Sequence, residues 1–207
     1  MSLHEHFKPV LSGFEHVKRY WDRQRERVVA KILPGEFYVT KQDEVISTVL
    51  GSCISACIYD YKMGIGGMNH FMLPIKKGHA DDFEDPLSCR YGNWAMEFLI
   101  NEILKNGGCR DNLKVKLFGG GKIISSMTDV GEGNIRFVSD FLKQEGLKVE
   151  SHDVGGPWPR KVLFNPTTGK AQVKKLRSMH NDTIKEREIR YFSEIEQQKS
   201  HTDIELF

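Results

Sequence analysis

Between Glu36 and Pro74 the chain carries three β-rich runs in close succession, FYVTKQ, VISTVL and CISACIYD, followed by glycines at 64, 66 and 67. Val, Ile, Tyr and Phe suit a pleated, half-buried surface, so these runs predict strands. The glycines predict a turn or the close approach of another backbone. Further strands are expected from LKVKLF at 113–118 and from LKVESHDV, KVLFNP and KAQVKKL downstream. Two helices interrupt them. One covers 93–106, with Trp94, Ala95, Phe98, Leu99, Ile103 and Leu104 on one face, Asn93 as cap and Gly107-Gly108 as terminator. The other covers 134–145, capped by Asn134 and ended by Gly146. This mixture predicts an α+β (α/β mixed) domain over 33–177, with mixed β-sheet layers flanked by helices.

The flanks read differently. Residues 14–32 show Phe14, Val17, Tyr20, Trp21, Val28 and Val29 at helical spacing, with Pro34-Gly35 as a stop, so 1–32 is expected to be a helical extension. Its basic run from Lys18 to Lys31 fits a solvated helix face, or a contact with nucleic acid, lipid headgroups or an acidic protein surface. Lys76–Ser88 is polar and is expected to be a surface loop. Residues 178–207 form a highly charged C-terminal tail with a modest helical pattern around Ile184–Ile195. It is expected to be mobile or loosely docked, or else a partner-binding helix.

Composition limits the classes. Hydrophobic residues are 39% of the chain, enough for a core, yet no run approaches the roughly 20 apolar residues of a membrane helix. No apolar stretch follows a basic start, so no secretory signal is read and the cytoplasm is the expected compartment. A net charge of +2 selects no partner. The four cysteines, Cys53, Cys57, Cys89 and Cys109, match no disulfide framework and are expected as free thiols. Cys53 and Cys57, even with His70 and His79, make a poor metal-ligand pattern.

One constellation could do chemistry. Gly51-Ser52 precedes Cys53, and a tight glycine turn exposes a nucleophile and frees backbone N–H groups to hold an oxyanion. His70 follows seventeen residues later, beyond the glycine-rich turn, and two antiparallel strands could bring the pair together. An ordinary thiol is only a few per cent thiolate at neutral pH, so an adjacent imidazole has work as a base and then as an acid. Ser47 and Thr48 offer hydroxyls to orient that imidazole. The competing reading is plain packing, since cysteine is commonly buried and ISACI around it is core-like.

The run LGSC…GIGGMNHFMLP resembles the CheD family of chemoreceptor glutamine deamidases. So do FEHVKRYWDR, LPGEFYV, RYGNWAMEFLINEIL, KLFGGG and PRKVLFNPTTGKAQVKKL, which carry the resemblance over about residues 13–177. The resemblance implies Cys53 as nucleophile and His70 as its proton-transfer partner. The family's third residue, a threonine six before the cysteine, falls on Ser47, with Thr48 as rival.

The same resemblance implies hydrolysis of glutamine side-chain amides in bacterial chemoreceptors through a thioester, without metal or organic cofactor. It also implies a CheC-type phosphatase as regulator in some members. Neither nucleic acid nor membrane insertion is expected. Rival readings are a glutamyl methylesterase at the same site, a non-catalytic chemotaxis adaptor, and a redox sensor using Cys53 and Cys57. FGGGK at 118–122 lacks the Walker spacing and reads as a tight turn or pocket wall. GEGNIRF at 131–137 lacks the last glycine of a dinucleotide fingerprint and reads as packing and helix capping.

Overall fold

The computed structural model describes residues 7–73, 86–123, 128–177 and 182–202. In chain order the elements are β1 (Lys18–Asp22), β2 (Arg27–Lys31), β3 (Phe37–Thr40), β4 (Val45–Leu50), β5 (Ile54–Asp60) and β6 (Ile65–Asn69). Helix α1 (Pro86–Lys105), β7 (Leu113–Gly119), α2 (Thr128–Gln144), β8 (Val149–Val154), β9 (Arg160–Asn165), β10 (Lys170–Lys175) and α3 (Asp182–Thr202) follow. The strands form two mixed five-stranded sheets, in the orders β1-β2-β4-β9-β10 and β3-β6-β5-β7-β8. The fold is α+β, as expected.

The two sheets share one core. Tyr59 of β5 meets Phe164 of β9 edge to face, with ring centroids 6.0 Å apart. Ile46, Val162 and Phe164 from one sheet belong to the same buried cluster as Cys57 and Met68 from the other. Helix α1 lies against β3, β5 and β6. A Cβ on Gly67 would stand 2.8 Å from Leu99 of α1 and 2.4 Å from the Tyr38 carbonyl. The glycine is what lets α1 and β3 close on β6. β5 is buried along its whole length rather than alternating, with Ser55 and Asp60 the polar members of an otherwise apolar or aromatic run.

Residues 14–32 are not a helix. They form the β1–β2 hairpin, with Lys18 opposite Lys31 and Asp22 opposite Arg27, and β2 runs parallel to β4. The charged residues between the valines are its turn: Asp22 Oδ1 accepts the N–H groups of Gln24 and Arg25, and Glu26 takes the left-handed conformation at φ 50°. Short runs such as RYWD and RVVAK fit both periods, and sheet pairing through Val28–Ala30 decided for strand.

Other boundaries also move. Helix α1 begins at Pro86, so Asn93 lies inside it and not at its cap. Helix α2 begins at Thr128, which places Asn134 in its interior. Of the expected loop Lys76–Ser88, residues 76–85 lie outside the described residues and 86–88 are helical. Among the described residues no helix is long and apolar enough to cross a membrane.

Candidate active site

Cys53 and His70 flank two antiparallel strands, one residue before β5 and one residue after β6. Ile54 and Phe71 exchange backbone hydrogen bonds of 2.9 and 3.0 Å, and each candidate residue immediately precedes one member of that bridge. The register that pairs Cys57 with Met68 continues through it. Cys53 and His70 therefore stand as diagonal neighbours on one face, where backbones are about 7–8 Å apart and side chains can meet. That face looks toward the other sheet.

The other sheet supplies the hydroxyl that holds the imidazole. Thr48 Oγ1 of β4 lies 2.7 Å from His70 Nδ1 and 2.9 Å from the carbonyl of Ile32. A carbonyl only accepts, so the threonine proton goes to Ile32 and the oxygen lone pair accepts Nδ1–H. That assigns the tautomer: Nδ1 carries the proton and Nε2 presents a bare lone pair. Nε2 is buried and, among the described residues, has no hydrogen-bond partner. The backbone of His70 is held as well, its N–H on the Glu36 carbonyl and its carbonyl on the Gly35 N–H.

Ser47, favoured by register, is not this hydroxyl. Alternation along β4 puts Thr48 with Ile46 and Leu50 on the face between the sheets, and Ser47 with Val45 on the opposite face. Counting six residues back from Cys53 lands one residue past Thr48, whose side chain faces inward.

The loop before Cys53 is pinned by its carbonyls. Gly51 O accepts Gly121 N–H at 2.7 Å, Cys53 O accepts Gly120 N–H at 2.7 Å, and Ser52 O accepts Asn134 Nδ2 at 2.8 Å. Asn134 Oδ1 accepts Leu73 N–H at 2.8 Å, so one amide in α2 ties the loop to the chain just beyond His70. A Cβ on Gly119 would stand 2.1 Å from Cys53 O, and its φ of 116° already excludes most side chains. The FGGGK segment is the wall behind the Cys53 loop. With three successive carbonyls committed inward, the N–H groups of 51–53 turn to the other side.

Those N–H groups converge on a carboxylate. Glu188 of α3 accepts Gly51 N–H at 2.7 Å, Ser52 N–H at 2.8 Å and the Ser52 hydroxyl at 2.6 Å, with Cys53 N–H at 3.5 Å. Successive N–H groups around a concavity form an anion site. The C-terminal tail is thus a docked helix, and Glu188, Ile184 and Ile195 are buried. The sequence carried one faint signal of this: a carboxylate four residues after Ile184 and seven before Ile195, inside the apolar stripe.

With α3 in place the site is sealed and electrically quiet. Cys53 is 0% exposed and His70 1% exposed. Burial pushes the Cys53 thiol well above its ordinary pKa, and the adjacent Glu188 carboxylate pushes it further. Burial, with a smaller push from the Arg187 guanidinium, lowers His70 to about 3. The pair therefore rests as thiol and neutral imidazole. Cys57 is also buried, its thiol pushed up by burial, and it faces the core between the sheets. Among the described residues no group of three His, Cys, Asp or Glu side chains could hold a metal ion.

The CheD family profile, described as CheD chemotactic sensory transduction, matches residues 72–175, half of the chain. A protein of Halorhodospira halophila named "Probable chemoreceptor glutamine deamidase CheD" is 52% identical over 200 residues, 95% of this chain and 93% of the relative. The chain belongs to the CheD family. Family members of the same printed name from Hahella chejuensis and Saccharophagus degradans are 51% and 48% identical. They cover 95% and 97% of this chain, and 93% and 94% of their own lengths. These matches, each over 95% or more of this chain, take in Cys53 and His70, which precede the stretch matched by the family profile.

Proposed function

We propose that this chain converts glutamine side chains of bacterial chemoreceptors to glutamate and ammonia, with Cys53 as nucleophile, His70 as acid and base, and Thr48 as the residue that orients His70. One observation carries the reading: an imidazole locked by Thr48 with Nε2 bare, on the face shared by Cys53, beside a loop whose N–H groups already bind a carboxylate.

The steps follow from that geometry. The Cys53 sulfur gives its proton to His70 Nε2 and attacks the carboxamide carbon. The negative charge that develops on the amide oxygen is held by the N–H groups around Ser52. The C–N bond breaks, the nitrogen takes the proton from His70, and ammonia leaves a thioester on Cys53. Water, deprotonated by His70, attacks the thioester and releases the glutamate side chain and the thiol.

Chemoreceptors as substrates and the cytoplasm as compartment belong to this reading, as does a CheC-type phosphatase as regulator. The relatives' printed names support the chemoreceptor as substrate. Esterase action at the same site is the rival that shares the most chemistry. A receptor cytoplasmic fragment carrying glutamine separates the two from one carrying glutamyl methyl ester. The deamidase reading expects ammonia release from the first, lost in Cys53→Ala. Methanol release from the second without ammonia from the first would replace it with the esterase.

A further inference from the structure

The Glu188 carboxylate occupies the anion site that the proposed reaction needs for its own oxygen. Its oxygens lie 2.7 and 2.8 Å from Gly51 and Ser52 N–H, and a Cβ on Gly51 would strike it at 2.7 Å. A glutamate side chain is also the product of glutamine deamidation. Around it α3 is held by specific contacts. Arg187 Nη2 donates to the Val49 carbonyl at 2.6 Å. The Tyr191 hydroxyl pairs with that of Tyr91 on α1, and its ring lies over Gly35, next to the residue whose carbonyl binds the His70 N–H. Ile184 and Ile195 bury the apolar stripe on either side. The outer face carries Glu186, Arg190 and Glu194, with Ile189 exposed among them.

A receptor side chain cannot reach a cysteine that is 0% exposed. We infer that α3 is an autoinhibitory lid that closes the site in cis, with Glu188 held as a product mimic on the N–H groups of Gly51 and Ser52, and that substrate enters only when α3 leaves. The inference rests on the deamidase reading for what the site does, and on geometry alone for the closure. The lid explains why a buried, electrically quiet Cys–His pair can belong to a working site: removing α3 takes away both the burial and the carboxylate that hold the thiol protonated. Because the segment is a single helix anchored by a few side chains, local opening can occur without global unfolding.

The test uses the full chain, with iodoacetamide as a small probe of Cys53 and the exposed Cys109 as an internal reference. Alkylation of each cysteine is followed by peptide mass mapping, and deamidation of a receptor fragment is followed in parallel. Glu188→Gln removes the charge and places an amide N–H₂ against N–H donors. Tyr191→Ala loosens the helix while leaving Glu188 in place, so it reports displacement apart from the loss of charge. Both variants are expected to speed Cys53 alkylation about tenfold or more relative to Cys109, as expected for a population shift of the lid, and to raise the deamidation rate with it. Glu186→Gln, on the exposed face, is expected to change neither. Cys53 alkylation at the wild-type rate in both variants would overturn the lid. Faster alkylation without deamidation by any form leaves the lid standing and counts against the deamidase.

Discussion

The hydroxyl of Thr48 bridges the two sheets of this protein, 2.7 Å from Nδ1 of His70 and committed by its own proton to Ile32. The imidazole is thereby fixed in rotation and in tautomer by a residue from the opposite sheet, a positioning role. Thr48→Val keeps the shape and removes the acceptor. Deamidase kcat is expected to fall about 10- to 100-fold, within the usual reach of acid–base catalysis. Thr48→Ser should recover most of it, and Ser47→Ala should stay close to wild type. A kcat loss in Ser47→Ala matching that of Thr48→Val would reverse the assignment.

Asn134 joins Ser52 O to Leu73 N–H, both inside the protein. Asn134→Leu leaves two backbone groups unsatisfied, at a cost of about 1–3 kcal/mol for each. A lower denaturation midpoint and weaker activity are expected together. Asn134→Asp keeps the acceptor for Leu73 but sets a buried carboxylate oxygen against the Ser52 carbonyl, so its midpoint should also fall below wild type. Equal midpoints for wild type and Asn134→Leu would show that water replaces the amide.

Much of the frame was legible in the residues, and the failures have physical causes. The runs FYVT, VISTVL and ISACIYD are strands because β-branched and aromatic residues there face a core on both sides. Cys53 and His70 could be singled out because a glycine turn and a glycine-bearing strand bracket them. Residues 14–32 misled because short amphipathic runs do not separate the two periods, and pairing with β4 is a tertiary fact. Thr48 against Ser47 turned on one position of strand phase, which a residue count across a loop does not preserve. Glu188 lay hidden among many charges, in a tail whose docking partner is more than 130 residues away.

Gly119 is a steric requirement of the loop that carries Cys53. Gly119→Ala places a Cβ 2.1 Å from Cys53 O at a φ of 116°. The strand end or the loop must shift, and a cost of about 1–3 kcal/mol is expected from the backbone strain alone. Thermal melting and the kcat of the deamidation should both register it. Wild-type values for both would mean that Gly119 and Cys53 do not approach so closely.

The burial of His70 gives stability an acid limit. The folded chain keeps it neutral down to about 3, whereas its ordinary value is 6.5. Between those values the unfolded chain binds the extra proton, so this group's contribution is lost as pH falls from 6.5 toward 3. Denaturant midpoints at about pH 7 and about pH 5 should differ less in His70→Gln than in wild type. An equal acid loss in both proteins would place the sensitivity elsewhere.

The central claim is that Cys53 turns a receptor glutamine into glutamate. Peptide mass spectrometry of a receptor cytoplasmic fragment, after incubation with wild type or Cys53→Ala, tests it most directly. The account predicts that defined glutamines gain the mass difference between amide and acid with wild type and remain unchanged with Cys53→Ala. Equal conversion by wild type and Cys53→Ala, or none by wild type and none by Glu188→Gln, would contradict it.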